Sequence, residues 1–97
     1  MAKQFCVYIL ASDRNGTIYV GVISNILRRI WQHKEGLVEE FTKHYDVDKL
    51  VWMELHESAE RAITREKRIK KWNREWKFKL IEAQNPCWND LYPALTA

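Results

Sequence analysis

Glu66 is the residue whose setting in this 97-residue chain most needs a chemical explanation. It lies in the segment 61–79, where Arg61, Arg65, Lys67, Arg68, Lys70, Lys71, Arg74, Lys77 and Lys79 oppose only Glu66 and Glu75. That is nine cations against two carboxylates, a local balance of +7 beside −4 for the remaining seven cations and eleven acids. Ala59, Ala62, Ile63 and Ile69 recur there at helical spacing, and a step of three or four from Ala62 or Ile63 lands on Glu66. The periodicity therefore sets a carboxylate in the middle of a helix's inward face. Burying an unpaired carboxylate is costly, so Glu66 needs a cation, a metal or an open cleft. Lys70 at i+4 or Arg29 would seal it as a core-margin ion pair. A magnesium ion would use it as one of the one or two protein carboxylates it takes, with water and phosphate filling its other positions.

Four further residues carry chemistry. Tyr8 and Tyr19 can accept or donate a proton through their phenols, and Arg29 can clamp a phosphate with a planar fork that keeps its charge. His33 lies four residues beyond Arg29, so the two share one margin of a helix. Taken singly, the tyrosines also read as sheet aromatics with hydroxyls at the rim, and Arg29 and His33 as a solvated helix edge. The basic block points to a polyanion partner, most simply nucleic acid, because neutralised phosphates release counterions. Arg65, Lys67, Arg68, Lys70, Lys71 and Arg74 are its candidate backbone contacts, with Trp72 and Trp76 interleaved. The plain alternative is a lysine-rich face that maintains solubility.

The elements that must position these groups are legible as patterns. Residues 5–11 are rich in β-formers and run into the turn signals Ser12, Asp13, Asn15 and Gly16, and 17–22 is a second such run. The pair reads as an antiparallel hairpin, with Tyr8, Tyr19 and Gly21 on one face and Tyr8 opposite Tyr19. Ser24 is the expected N-cap of a helix through Glu35, stopped by Gly36, with Ile26, Leu27, Ile30 and Trp31 as its buried stripe. Residues 37–47 read as a loop and 49–56 as a third, mostly buried strand that includes Trp52. Ser58 caps the helix carrying Glu66. Asn73 caps a third helix with Trp76, Leu80 and Ala83 inward and Phe78 and Ile81 flanking, ended at Asn85-Pro86. An irregular tail should pack over the body.

Composition bounds what such a chain can be. With 46% hydrophobic and 30% charged residues it is too apolar for disorder, and its length suits one domain, 1–97, with a core at about 5–92. The longest uncharged run, Asn15 to Leu27, is thirteen residues, short of the roughly 20 apolar residues that cross a bilayer, so no membrane span is expected. Cys6 and Cys87 stand 81 positions apart without a partner motif, which argues against a disulfide scaffold and for a reducing compartment. The expected address is the cytoplasm.

Taken in order, Cys6-Val7-Tyr8, Tyr19-Val20-Gly21, Arg29, His33 and Glu66 resemble the GIY-YIG nuclease superfamily. The likeness is strongest to small stand-alone bacterial members similar to the N-terminal nuclease module of the bacterial excision-repair nuclease. It spans residues 5 to 92. Cys6 stands where the first triplet has glycine. Asn73, Asn85 and Asn89 are candidates for the family's late asparagine, and Asn85 is favoured.

The resemblance implies an α+β fold, a three-stranded, mainly antiparallel sheet flanked by about three helices. It implies a divalent-metal-dependent endonuclease that uses one Mg²⁺ or Mn²⁺ and acts on nucleic acid, with DNA favoured over RNA as the expected substrate and a link to DNA repair. By carry-over Tyr19 is the general base, Glu66 the metal ligand and Arg29 the phosphate clamp, while Tyr8 and His33 orient them. A chain this short has little room beyond a catalytic core, so a protein partner would supply specificity. Two other readings compete: a nucleic-acid-binding module that cuts nothing, and a protein-interaction domain whose tryptophans form the contact patch.

Overall fold

The computed structural model describes residues 4–35 and 46–96, with His33 and Thr96 traced by their backbone alone. A three-stranded antiparallel sheet is built from β1 (Phe5–Ala11), β2 (Ile18–Ile23) and β3 (Lys49–His56) in the order β2-β1-β3. Around it lie α1 (Ile26–Lys34), α2 (Ala59–Lys71), α3 (Arg74–Gln84) and the short α4 (Tyr92–Thr96). The fold is α+β as expected, with one more helix among the described residues because Tyr92–Thr96 coils where an irregular tail was expected. Among the described residues no helix is long and apolar enough to cross a membrane.

The apolar run of β1 makes it the central strand, covered on both faces. Val7, Ile9 and Ala11 meet Val20, Val51 and Trp52 of the sheet, Ala62 and Ile69 of α2, Ile81 of α3 and Trp88. Cys6, Tyr8 and Leu10 meet Ile30 of α1, Val47 and Leu50 on the other face. The β1–β3 register slips between Ile9 and Leu10, so that Val51 and Trp52 both pack on the first of these layers.

Several local expectations are corrected. Tyr8 faces Gly21 and Tyr19 faces Leu10, so the two tyrosines are diagonal rather than directly opposite. The hairpin closes with Ser12 N–H donating to the Thr17 carbonyl at 2.9 Å, and inside it Gly16 N–H donates to the Asp13 carbonyl while Asn15 sits at φ 57°. That four-residue turn displaces the pairing by two positions, which preserves the face of every side chain. Asn25 rather than Ser24 caps α1, its Oδ1 accepting from Arg28 N–H at 3.1 Å.

Trp31 and Leu27 are 48% and 41% exposed rather than buried, while Ile30 is fully buried. The helix is rolled so that its Arg29 margin meets the sheet, which turns the Leu27/Trp31 margin outward. Trp76 is likewise exposed, because the inward stripe of α3 runs through Phe78 and Ile81, with Phe78 edge-on to Trp88 at 4.8 Å. Ile63 is 40% exposed rather than part of a buried stripe, since Ala62 and Ile69 set the inward face of α2. The expected Gly36 stop and most of the 37–47 loop lie outside the described residues.

Ala83, expected inward, is exposed, and β3, expected mostly buried, is buried only over Leu50, Val51 and Trp52. Four other local expectations hold. Ser58 Oγ accepts from Arg61 N–H at 3.2 Å, Asn73 Oδ1 accepts from Trp76 N–H at 2.8 Å, Trp52 is buried, and the tail packs on the body. Asp90 fixes that tail by accepting from Leu50 N–H and from Lys34 Nζ at 2.6 Å.

Candidate active site

Tyr8, Tyr19 and Arg29 meet on the α1 face of the sheet. The rings of Tyr8 and Tyr19 lie 6.3 Å apart at 40°. Their spacing is set by Gly21, directly across from Tyr8. A Cβ at that position would fall 2.6 Å from both Cζ and the hydroxyl oxygen of Tyr8, and 3.0 Å from Tyr19 Cε1. The Tyr8 ring therefore lies across the bare backbone of Gly21, buried to 1% exposure, while Tyr19 stays half-buried. Gly21 is needed here for space, since its backbone is not in the left-handed region.

Arg29 is carried to this pair by the first turns of α1, and its Nε donates to the Tyr8 hydroxyl at 3.4 Å. Burial is the largest influence on its guanidinium and works against the charge. Interactions with the Tyr8 and Tyr19 hydroxyls outweigh it and hold the pKa above its ordinary value. Arg29 is thus a fixed cation flanked by two phenols. Beside it opens a cleft of about 240 Å³ lined by Ile23, Ser24, Asn25, Arg28, Arg29 and Gln32, at the N-terminal end of a helix whose dipole favours an anion. Arg28 and Gln32 were not singled out from sequence. Their position one residue before Arg29 and one turn after Arg28 was the available signal.

Glu66 approaches from the other side. Its helix α2 packs on the opposite face of the sheet through Ala62 and Ile69, and it contacts β2 as well as β1 and β3. The inward placement read from the periodicity holds: the Glu66 side chain is only 12% exposed. Lys70 Nζ pairs with it at 3.0 Å across one turn of the helix. Among the described residues no three His, Cys, Asp or Glu side chains cluster to hold a metal. A single, mostly buried carboxylate paired with Lys70 suits an ion that takes most of its ligands from water and phosphate, as magnesium does.

The other expected site residues separate. Asn85 is buried, and its amide is committed to backbone: Nδ2 donates to the carbonyls of Val51 at 3.0 Å and Asn89 at 2.8 Å, and Oδ1 accepts from Asn89 N–H. It ties the end of α3 to β3 rather than facing the tyrosine cluster. Asn73 is spent as the α3 cap. For His33 the structure gives only its backbone position on α1, one turn beyond Arg29.

Arg74 donates to the Asn15 and Gly16 carbonyls at 3.0 and 2.6 Å and lies over Phe78, so it braces the hairpin turn. Arg65 is held by Glu54 at 3.1 Å and lies over Trp72. Lys67, Arg68 and Lys71 are exposed along α2.

An antiparallel sheet of three strands with a paired-tyrosine cleft, an arginine on the first helix and a carboxylate on the next long helix defines a family. A profile described as the GIY-YIG catalytic domain matches residues 4–79, and the chain belongs to the GIY-YIG family. Among its relatives is a UPF0213 protein of Staphylococcus haemolyticus, 37% identical over 84% of this chain and 98% of its own length. A UPF0213 protein of Syntrophus aciditrophicus is 36% identical over 89% of this chain and 97% of its own. The solution NMR structure of a UPF0213 protein from Bacillus halodurans matches with a TM-score of 0.56 at 26% identity, covering 90% of this chain and 92% of that one.

Proposed function

We propose that this protein is a divalent-metal-dependent endonuclease acting on DNA, with the scissile phosphate seated between Arg29 and the β2 edge. The observation that carries this reading is the Arg29 guanidinium set against Tyr8 and Tyr19 under the bare backbone of Gly21, next to an open cleft at a helix N-terminus. A permanently charged fork at that position neutralises a phosphodiester and accumulates charge stabilisation as the pentacoordinate phosphorus forms.

Tyr19, the less buried of the two phenols, would act as its phenolate and accept the proton of the attacking water. Tyr8 acts through Arg29 and holds its Nε, and His33 orients the water or the phosphate from the same helix. Glu66 would hold the ion, Mg²⁺ or Mn²⁺. Bound there it would supply charge neutralisation for the leaving oxygen. Lys70 pairs with the Glu66 carboxylate, and an ion held there would compete with that pair. The exposed cations of α2, Lys67, Arg68 and Lys71, hold backbone flanking the cut.

Nicking of supercoiled and branched DNA tests this, run with Mg²⁺, Mn²⁺ or EDTA beside Glu66→Ala and Tyr19→Phe. Cutting is expected with either metal, none in EDTA, and a loss of at least about 100-fold in each variant, the scale on which positioned acid–base and electrostatic groups act. Wild-type rates in Tyr19→Phe would remove the base assignment. Purified protein that binds every DNA and cuts none would instead be a binding module.

A further inference from the structure

On the flank of α2 that looks toward β3 lies a second charged cleft, of which the reading above uses only Arg68. It measures about 410 Å³ and is lined by His56, Ser58, Glu60, Arg61, Thr64, Arg65 and Arg68. Residues 61, 65 and 68 are spaced by four and three, so their guanidiniums share one side of the helix. Ala62 and Ile69 point into the core, and Glu66 with Lys70 occupies the other side.

The cleft is built rather than incidental. Glu54 Oε1 holds both Arg65 Nε at 3.1 Å and His56 Nε2 at 2.7 Å, and the Arg65 guanidinium is further fixed over the Trp72 ring at 5.4 Å. Arg61 and Arg68 are exposed at the mouth, and among the described residues no carboxylate lies within 4.0 Å of either. All three cationic positions of this flank are arginine, whereas positions 67, 70 and 71, facing elsewhere on the same helix, are lysine. Arginine is the residue whose planar donors match phosphate oxygens two at a time, while lysine serves as a solvated point charge.

We infer that this cleft is a second phosphate site, which grips a phosphodiester of the nucleic acid other than the one that is cut. The site rests on the nuclease reading for the identity of the polymer. Its placement fixes its role. The arginine cleft belongs to the helical layer formed by α2 on one side of the sheet, and the Tyr8–Arg29 cluster lies on the other. A phosphate held by Arg61 and Arg68 therefore belongs to a different nucleotide from the one at Arg29. Contacts of that kind position and tighten the substrate equally in the ground and transition states, so they act on KM and leave kcat alone.

The test is the double substitution Arg61→Gln with Arg68→Gln, which keeps helix-forming residues and leaves Glu54, Arg65 and His56 in place. Binding of a labelled DNA duplex is followed by anisotropy in EDTA, at a series of salt concentrations, so that no cutting enters the measurement. Loss of two phosphate contacts should lower the slope of log K against log salt by about 1.8. In nicking with Mg²⁺ the variant should show a raised KM and an unchanged kcat. A wild-type salt slope, or a fall in kcat at unchanged KM, overturns the inference.

A parallel arm adds inorganic phosphate or a mononucleotide to protein with ¹⁵N-labelled arginine. If either saturates the Arg61 and Arg68 signals and duplex DNA fails to displace it, the cleft serves a small phosphorylated molecule and the inference is likewise overturned. A protein that cuts nothing yet loses slope in the double variant keeps this site and loses the nuclease reading. One that cuts and keeps its slope does the reverse.

Discussion

Gly21→Ala inserts one carbon where the structure leaves no room. The new Cβ would stand 2.6 Å from Tyr8 Cζ and hydroxyl oxygen, so the ring must retreat by about 1 Å to reach ordinary contact near 3.6 Å. Tyr8 is 1% exposed and wedged among Leu10, Ile30, Val47 and Leu50, so that retreat is an overpacking event of about 1–3 kcal/mol. It also draws the phenol off Arg29, whose Nε is already 3.4 Å away, for roughly 1 kcal/mol more. A total of about 2–4 kcal/mol should appear as a lower urea midpoint by far-UV circular dichroism, at an unchanged m-value. Misplacement of Arg29 and Tyr19 by about 1 Å should reduce nicking on the order of 100-fold.

The decisive comparison is the same substitution in a Tyr8→Leu background, where Cζ and the hydroxyl are gone. There Ala in place of Gly within a strand should stabilise by about 0.5–1 kcal/mol, since glycine pays more backbone entropy on folding. The sign of the effect thus reverses between the two backgrounds. An equal destabilisation in both would show that the Tyr8 ring is not what Gly21 accommodates.

Three further outcomes follow from particular contacts. Lys70→Gln removes the cation that pairs with Glu66, an exposed-side pair worth about 0.5 kcal/mol, so half-maximal Mg²⁺ for nicking should fall about twofold; a rise would mean that Lys70 helps to hold the substrate instead. Cys6 is buried and its thiol is pushed up to about 11, chiefly by burial, whereas Cys87 is exposed; a thiol reagent at pH 8 should modify one cysteine per native chain, Cys87, and two in urea, as read by mass spectrometry of tryptic peptides. Asp90 is partly buried, which alone would raise its pKa, but hydrogen bonds from Lys34 and from the Tyr92 and Leu50 amides bring it below its ordinary value of 3.8. A depressed native pKa stabilises the fold above that value and ceases to do so as pH falls through the native one. Asp90→Asn should therefore have a lower urea midpoint than wild type at pH 6, and the gap should close as the pH is taken below 3.8.

What the sequence made legible was whatever depends on period and local chemistry. Strand parity put Tyr8, Tyr19 and Gly21 on one face, and helical period put Glu66 inward; both survive because they are insensitive to a two-residue slip of the hairpin or to where a helix begins. What it obscured depends on how elements roll against one another. Trp31 and Leu27 satisfy an apolar stripe on α1 as well as Ile26 and Ile30 do, and only the packing of Arg29 against the Tyr8 hydroxyl decides which margin turns in. Asn85 shows the same limit for polar residues. An asparagine at a helix end is equally able to bind a ligand or to satisfy backbone, and here Val51 and Asn89 claim it. Arg74 was grouped with its basic neighbours by charge, yet it reaches the hairpin turn 58 residues away.

The sheet itself constrains where the cut can happen. Arg29 is delivered by a helix on one face and Glu66 by a helix on the other, with a single strand, β2, at the edge between them. A ligand that engages both must lie along that edge, since β1 behind it is buried on both faces. The open backbone of an edge strand is ordinarily a liability for aggregation, and on the nuclease reading proposed above a bound substrate would cover it. Gly21 on β2 is itself buried, its bare backbone covered by the Tyr8 ring from the neighbouring strand, so its lack of a side chain serves the packing of that ring.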